Sequence, residues 1–110
     1  MPVVEERMCV FHQYVVHLLH EVRVIVFDDK QIRFTPIEYG IMKHLLTGYP
    51  VSDKELVNDL FHSDIDMWTK DALDRHISNL RRKIKKAGIA LSILRVSTFG
   101  YILVPSNSMR

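Results

Sequence analysis

The chain has one cysteine, Cys9, and only four glycines and four prolines among its 110 residues. A single thiol closes no intramolecular disulfide and builds no four-cysteine zinc site, and it fits a reducing compartment. Long apolar runs are also missing. The longest, residues 14–19 (broken by His17) and 24–27, fall far short of the roughly 20 residues of a membrane span. Met1-Pro2 followed by Glu5-Glu6 lacks the pattern of a secretory leader, so a cytoplasmic protein with no membrane contact is expected. Neither a Gly-rich phosphate loop nor an H-E-x-x-H pair nor a Ser/Cys nucleophile motif occurs, which argues against an enzyme. What remains, 47% apolar and 25% charged, is the composition of a folded chain, and its length suits one domain over residues 1–110.

The charge is divided unevenly. Residues 1–69 hold 6 Lys/Arg and 11 Asp/Glu, a net of −5, whereas residues 70–110 hold 9 and 2, a net of +7. A split of this size within one domain suggests a surface for a polyanion, although a solvated basic helix gives the same count. The six histidines offer no metal site by spacing: His12, His17 and His20 fall on or between strand-like segments, where positions three apart face opposite sides. No metal and no cofactor are expected. The pairs Asp28/Asp29 and Asp64/Asp66 sit in turn-like segments and read as solvated.

The first third, about 9–34, is rich in Val, Ile, Phe and Tyr and reads as three or four short antiparallel strands. Thr35-Pro36-Ile37-Glu38 then combines a cap, a proline suited to the first helical position and a capping-box glutamate, which predicts a helix over about 36–48. Ser52-Asp53-Lys54-Glu55 repeats the box and predicts a second over about 53–61. Residues 62–68 lack periodicity and read as a seven-residue loop. Within it Ile65, Met67 and Trp68 form an apolar cluster that more often tucks onto a core; exposed, it would suit a protein partner.

A third helix is expected over about 70–87, capped by Thr69, with Leu73, Ile77, Leu80 and Ile84 as its apolar stripe. Its other side carries Arg75, Ser78, Asn79, Arg82, Lys85 and Lys86, with Lys70 at the start and Arg81 on the flank. Arg bonds guanine bidentately, Asn pairs with adenine and lysines suit phosphates, so this face has the donors for a DNA major groove. His76, at the edge of the stripe, reads as a packed or phosphate-contacting imidazole. Two strand-like runs over about 92–104 follow as a hairpin. Helix, turn, exposed basic helix and hairpin in that order make a winged helix-turn-helix, with Arg95, Ser97 and Thr98 on the wing.

The segment Leu73-Asp74-Arg75-His76-Ile77-Ser78-Asn79-Leu80-Arg81-Arg82-Lys83-Ile84 resembles the recognition-helix signature of the OmpR/PhoB-type effector domain, V-D-x-H-I-x-x-L-R-x-K-[IL]. Phe34-Thr35-Pro36-x-Glu38, Val51-Ser52-x-x-Glu55-Leu56 and Phe99-Gly100-Tyr101 resemble three further motifs of that family in the same order, over about residues 9–104. The resemblance implies an α+β fold with a four-stranded N-terminal sheet, three helices and a C-terminal hairpin. It implies sequence-specific promoter binding, commonly by two protomers head to tail on direct repeats, and contact between RNA polymerase and the loop carrying Ile65, Met67 and Trp68. Asp71, Ser78, Asn79, Ser97 and Thr98 depart from positions where the family often has other residues, Arg among them, which implies a shallower salt dependence.

Family response regulators carry a receiver domain ahead of this unit. Here about ten residues precede the first strand, so the chain is expected either to act without aspartyl phosphorylation or to receive its signal elsewhere. The ToxR/CadC-like regulators, which place the same unit first, are a related class, and the Phe11-x-x-Tyr14 start suits them. The leading expectation is a DNA-binding transcriptional regulator of the bacterial nucleoid. The alternative is a winged-helix module that binds polymerase or another regulator without specific DNA binding.

Overall fold

The computed structural model describes residues 6–106. Alternation of apolar and polar residues builds the first layer. β1 (Glu6–Phe11), β2 (Tyr14–Leu19), β3 (Val24–Phe27) and β4 (Lys30–Arg33) pair antiparallel in chain order. Phe11, Tyr14, Val16, Leu18, Ile25, Phe27 and Ile32 turn inward and are buried. The stretch 10–19 is divided between two strands, because the chain reverses at His12 and Gln13 with φ 56° at His12. At the β3–β4 turn Asp28 is not simply solvated: its carboxylate accepts from the Val15 amide at 2.8 Å and ties the turn to β2.

α1 (Pro36–Leu45) opens with the expected box, Thr35 Oγ1 accepting from the Glu38 amide and Glu38 Oε1 accepting from the Thr35 amide. A short strand absent from the sequence expectation, β5 (Val51–Ser52), precedes α2 (Asp53–Phe61). Ser52 caps α2 by accepting from the Glu55 amide at 3.0 Å. The reciprocal half of that box does not form, because the Glu55 carboxylate faces His44 instead.

α3 (Met67–Lys86) starts earlier than expected. Asp66, not Thr69, is the cap: its carboxylate accepts from the Thr69 amide at 2.9 Å while Thr69 Oγ1 accepts from the Asp66 amide at 2.9 Å. Asp caps at least as well as Thr, and placing it first lets Thr69 serve as the returning partner. The link from α2 to α3 is therefore residues 62–66 rather than 62–68, and Met67 and Trp68 belong to the first helical turn. Bonds from Thr69 hold the Asp66 carboxyl below its ordinary range. The aspartate expected to be solvated is a structural cap.

β6 (Leu91–Val96) and β7 (Gly100–Pro105) form the hairpin, and β5 pairs with β7 to give a second sheet ordered β5-β7-β6. Gly100 is required at the crossing: a Cβ there would collide with the Val51 carbonyl. Between the two sheets the stripe Leu73, Ile77, Leu80 and Ile84 packs into one core with Phe34, Ile41, Leu45, Leu56 and Leu103. The result is an α+β winged helix-turn-helix. Among the described residues two charged side chains are buried, Glu38 and Asp53, and each has a cationic partner, as burial of a carboxylate demands.

Candidate nucleic-acid interface

The burial of one stripe fixes what α3 shows to solvent. Lys70, Arg75, Ser78, Arg81, Arg82, Lys85 and Lys86 are exposed, and His76 and Asn79 partly so. His76 leans on Phe61 of α2, ring centroids 6.1 Å apart. Lys83 of the same helix turns the other way, toward the core, where its Nζ lies 2.6 Å from Glu38 Oε1 and donates to the Arg33 carbonyl at 3.2 Å. Burial pushes the Glu38 carboxyl up, but the Lys83 bond and the Thr35 amide outweigh it and leave it below its ordinary value. One cation of the helix thus anchors α3 to the start of α1, while the rest stay outside.

The wing is joined to this helix by a polar network. Lys70, Asp74, Ser78, Arg81, Arg95 and Tyr101 line a hollow of about 370 Å³. Within it the Tyr101 hydroxyl donates to Asp74 Oδ1 at 2.6 Å. Burial, and then the Asp74 bond and charge, push the Tyr101 phenol up to about 12. The Arg95 guanidinium carbon lies 4.8 Å from the Tyr101 ring centroid and that of Arg81 5.9 Å, both within cation–π range. Arg81 Nε also donates to the Ile93 carbonyl at 3.0 Å, which fixes its stem against β6.

Arg95, expected on the wing among the DNA-facing residues, is bonded within the protein. Its Nη1 and Nη2 donate to the two carboxylate oxygens of Asp53, each at 2.8 Å, and its Nε donates to the Ser97 carbonyl at 2.9 Å. The Asp53 bond holds the Arg95 proton more firmly still. The Asp53 amide in turn donates to the Phe99 carbonyl at 2.9 Å. A bidentate pair of this kind is committed twice over, so Arg95 ties the wing to α2. Ser97 and Thr98 sit exposed in the turn between β6 and β7, with φ 46° at Ser97. Nothing in the sequence singled out Asp53 beyond its place in a cap, or Tyr101 beyond its motif. Their partners lie 42 and 27 residues away.

The apolar cluster expected to tuck inward does the opposite. Met67 and Trp68 are 69% and 76% exposed, and Ile65 is exposed beside them. Once Asp66 starts the helix, the first turn projects beyond the core that the stripe begins to cover only at Leu73.

Residues 29–103 match the family described as "Transcriptional regulatory protein, C terminal". The chain belongs to this family. It is a DNA-binding transcriptional regulator domain of the OmpR/PhoB type, a family of transcription-factor domains and not of enzymes. It is 36% identical over 87 residues to the transcriptional regulatory protein BasR of Escherichia coli (strain K12), covering 77% of this chain and 37% of that one. It is 35% identical over 85 residues to PmrA of Pectobacterium parmentieri, covering 72% and 34%. The chain thus spans little more than a third of the length of these relatives. Among solved structures it resembles the DNA-binding domain of CpxR from E. coli, with a TM-score of 0.69 at 23% identity over 91% of this chain and 98% of that one. It also resembles the response regulator AdeR DNA-binding domain, solved in complex with an intercistronic region, with a TM-score of 0.68 at 23% identity over 82% and 94%. The E. coli CadC DNA-binding domain shares the fold, with a TM-score of 0.67 at 18% identity over 94% and 95%. No helix among the described residues is long and apolar enough to cross a membrane.

Proposed function

We propose that this chain acts as one domain that binds specific double-stranded DNA as a bacterial transcription factor of the cytoplasm and nucleoid. In this reading α3 enters the major groove and the β6–β7 wing lies on the adjacent backbone or minor groove. One observation carries it: on α3 the buried stripe and the exposed Arg75, Arg82, Lys85 and Lys86 occupy opposite sides. Arg75, Asn79 and Arg82 are assigned to base edges, where fork-shaped or amide donors discriminate. Lys70, His76, Arg81, Lys85 and Lys86 are assigned to phosphates, with the hydroxyls of Ser78, Ser97 and Thr98 as neutral contacts. Arg95 is assigned to holding the wing against α2 through Asp53 rather than to a phosphate. Two protomers are assigned head to tail on direct repeats.

Selection of bound duplexes from a random pool tests the reading, because it reports motif, half-site spacing and stoichiometry together. A recovered motif with repeat spacing supports it. A pool that stays random, together with no shift of random duplex at low salt, refutes it and favours a protein-interaction module. The exposed Trp68 supports a second, protein-facing surface on the same domain, formed with Ile65 and Met67, and RNA polymerase is the partner assigned to it.

A further inference from the structure

A cluster outside this interface joins the first two helices. His44 lies in the last turn of α1, and Glu55 and Asp59 lie one turn apart on the facing side of α2. His44 Nε2 is 3.2 Å from Asp59 Oδ2, and His44 Nδ1 is 3.6 Å from Glu55 Oε2. One donor atom from each of the three residues lies within 4.8 Å of the other two. The backbone beneath them is fixed: the His44 carbonyl accepts from Thr47 Oγ1 at 2.9 Å, and the Glu55 amide is held by the Ser52 cap. Both carboxylates are about half exposed and His44 is 24% exposed, so a hydrated ion can reach the site.

We propose that His44, Glu55 and Asp59 form a zinc site that clamps α1 to α2. One imidazole nitrogen and two carboxylate oxygens are a donor set suited to Zn(II), which takes three protein ligands and a water in a tetrahedron with bonds of about 2.0–2.2 Å. Such a tetrahedron has edges of roughly 3.3 Å, close to the His44 Nε2–Asp59 distance, and the exposed Glu55 side chain, which faces Nδ1, would change rotamer to join an ion held on Nε2. Zn(II) would also neutralise two carboxylates that repel one another at adjacent turns. Mg(II) fits poorly, since it demands near-octahedral oxygen ligation and keeps its waters. The site was hidden in the sequence because its ligands come from two helices, and no familiar spacing links them.

The test is titration of the chain with Zn(II), and with Co(II) as a coloured substitute, followed by calorimetry, visible absorption and thermal melting. One equivalent should bind, the Co(II) form should show four-coordinate absorption, and the melting temperature should rise with Zn(II) as mass action requires. His44→Gln and Asp59→Asn should each weaken binding at least about tenfold, whereas His62→Asn, at an exposed histidine outside the cluster, should leave it unchanged. A parallel melt of each variant without metal shows that it folds. Absence of one-to-one binding, equal binding by His44→Gln, loss in His62→Asn, or displacement by millimolar Mg(II) would overturn the proposal.

Discussion

The Tyr101 hydroxyl and the Asp74 carboxylate meet at 2.6 Å, one from the wing and one from α3. Tyr101 also receives the guanidinium of Arg95 over its ring, and Arg95 is bonded to Asp53 at the start of α2. The chain of contacts Asp53, Arg95, Tyr101, Asp74 therefore ties hairpin to helices, and these four residues are distinct from those assigned to touch DNA.

Tyr101→Phe removes the bond but keeps the ring. Asp74 is exposed and recovers water, so the loss should be about 1 kcal/mol in urea denaturation. The folded phenol titrates at about 12 against an ordinary 10.0. A raised pKa stabilises the fold while the group is protonated, and that contribution fades as pH climbs from about 10 through about 12. The Phe variant should lack this alkaline component.

Arg95→Ala leaves the Asp53 carboxylate buried without a partner. Destabilisation of about 2–4 kcal/mol is expected, tempered because the Arg95 side chain is 31% exposed and partly hydrated already. Lys85→Ala should change stability by less than about 0.5 kcal/mol. Chemical denaturation of the two variants separates a structural arginine from a surface cation; equal stabilities would contradict the structural role of Arg95.

Arg82→Ala should weaken binding to the selected sequence by about 1–3 kcal/mol and relax preference at one base pair. Lys85→Ala should weaken all duplexes alike and lower the slope of log K against log salt by about 0.9. Binding isotherms across salt on selected and random duplexes would distinguish the two roles, and identical behaviour of both variants would dissolve the distinction.

Acid should loosen the contact between α1 and α3. The Glu38 carboxyl sits below its ordinary 4.5 in the fold, so its contribution is present above that value and is lost as pH falls through the lower folded pKa. Denaturation midpoints between roughly pH 6 and pH 3 should fall less steeply for Glu38→Gln than for the parent chain. Parallel curves would contradict the assignment.

Trp68 is the sole tryptophan. Its emission should resemble that of indole in water and be quenched readily by acrylamide. Trp68→Ala should leave both stability and DNA affinity near those of the parent, and a shielded, blue-shifted emission in the free chain would contradict the exposed first turn of α3.

Features set by short-range pattern were legible in the sequence. The Leu73, Ile77, Leu80, Ile84 stripe and the Thr35/Glu38 box depend on residues three or four apart, and both stand where the spacing predicts. The start of α3 was misplaced because Asp66 and Thr69 are both competent caps, and only the reciprocal bond between them decides which is which. β5 escaped notice because two residues carry no periodicity; Val51 is a strand only because Tyr101 lies opposite it. The pairing of Arg95 with Asp53 was illegible for the same reason, since a cation near the end of a basic segment looks free until its remote carboxylate is located.

That two-residue rung, β5, has a mechanical consequence. It is at once the outer strand of the hairpin's sheet and the threshold of α2, so the wing and α2 are joined by both ladder hydrogen bonds and continuous chain. The ladder rungs Val51–Tyr101 and Ser52–Gly100 thus couple any displacement of the wing's second strand to the backbone that enters α2 at the very next residue.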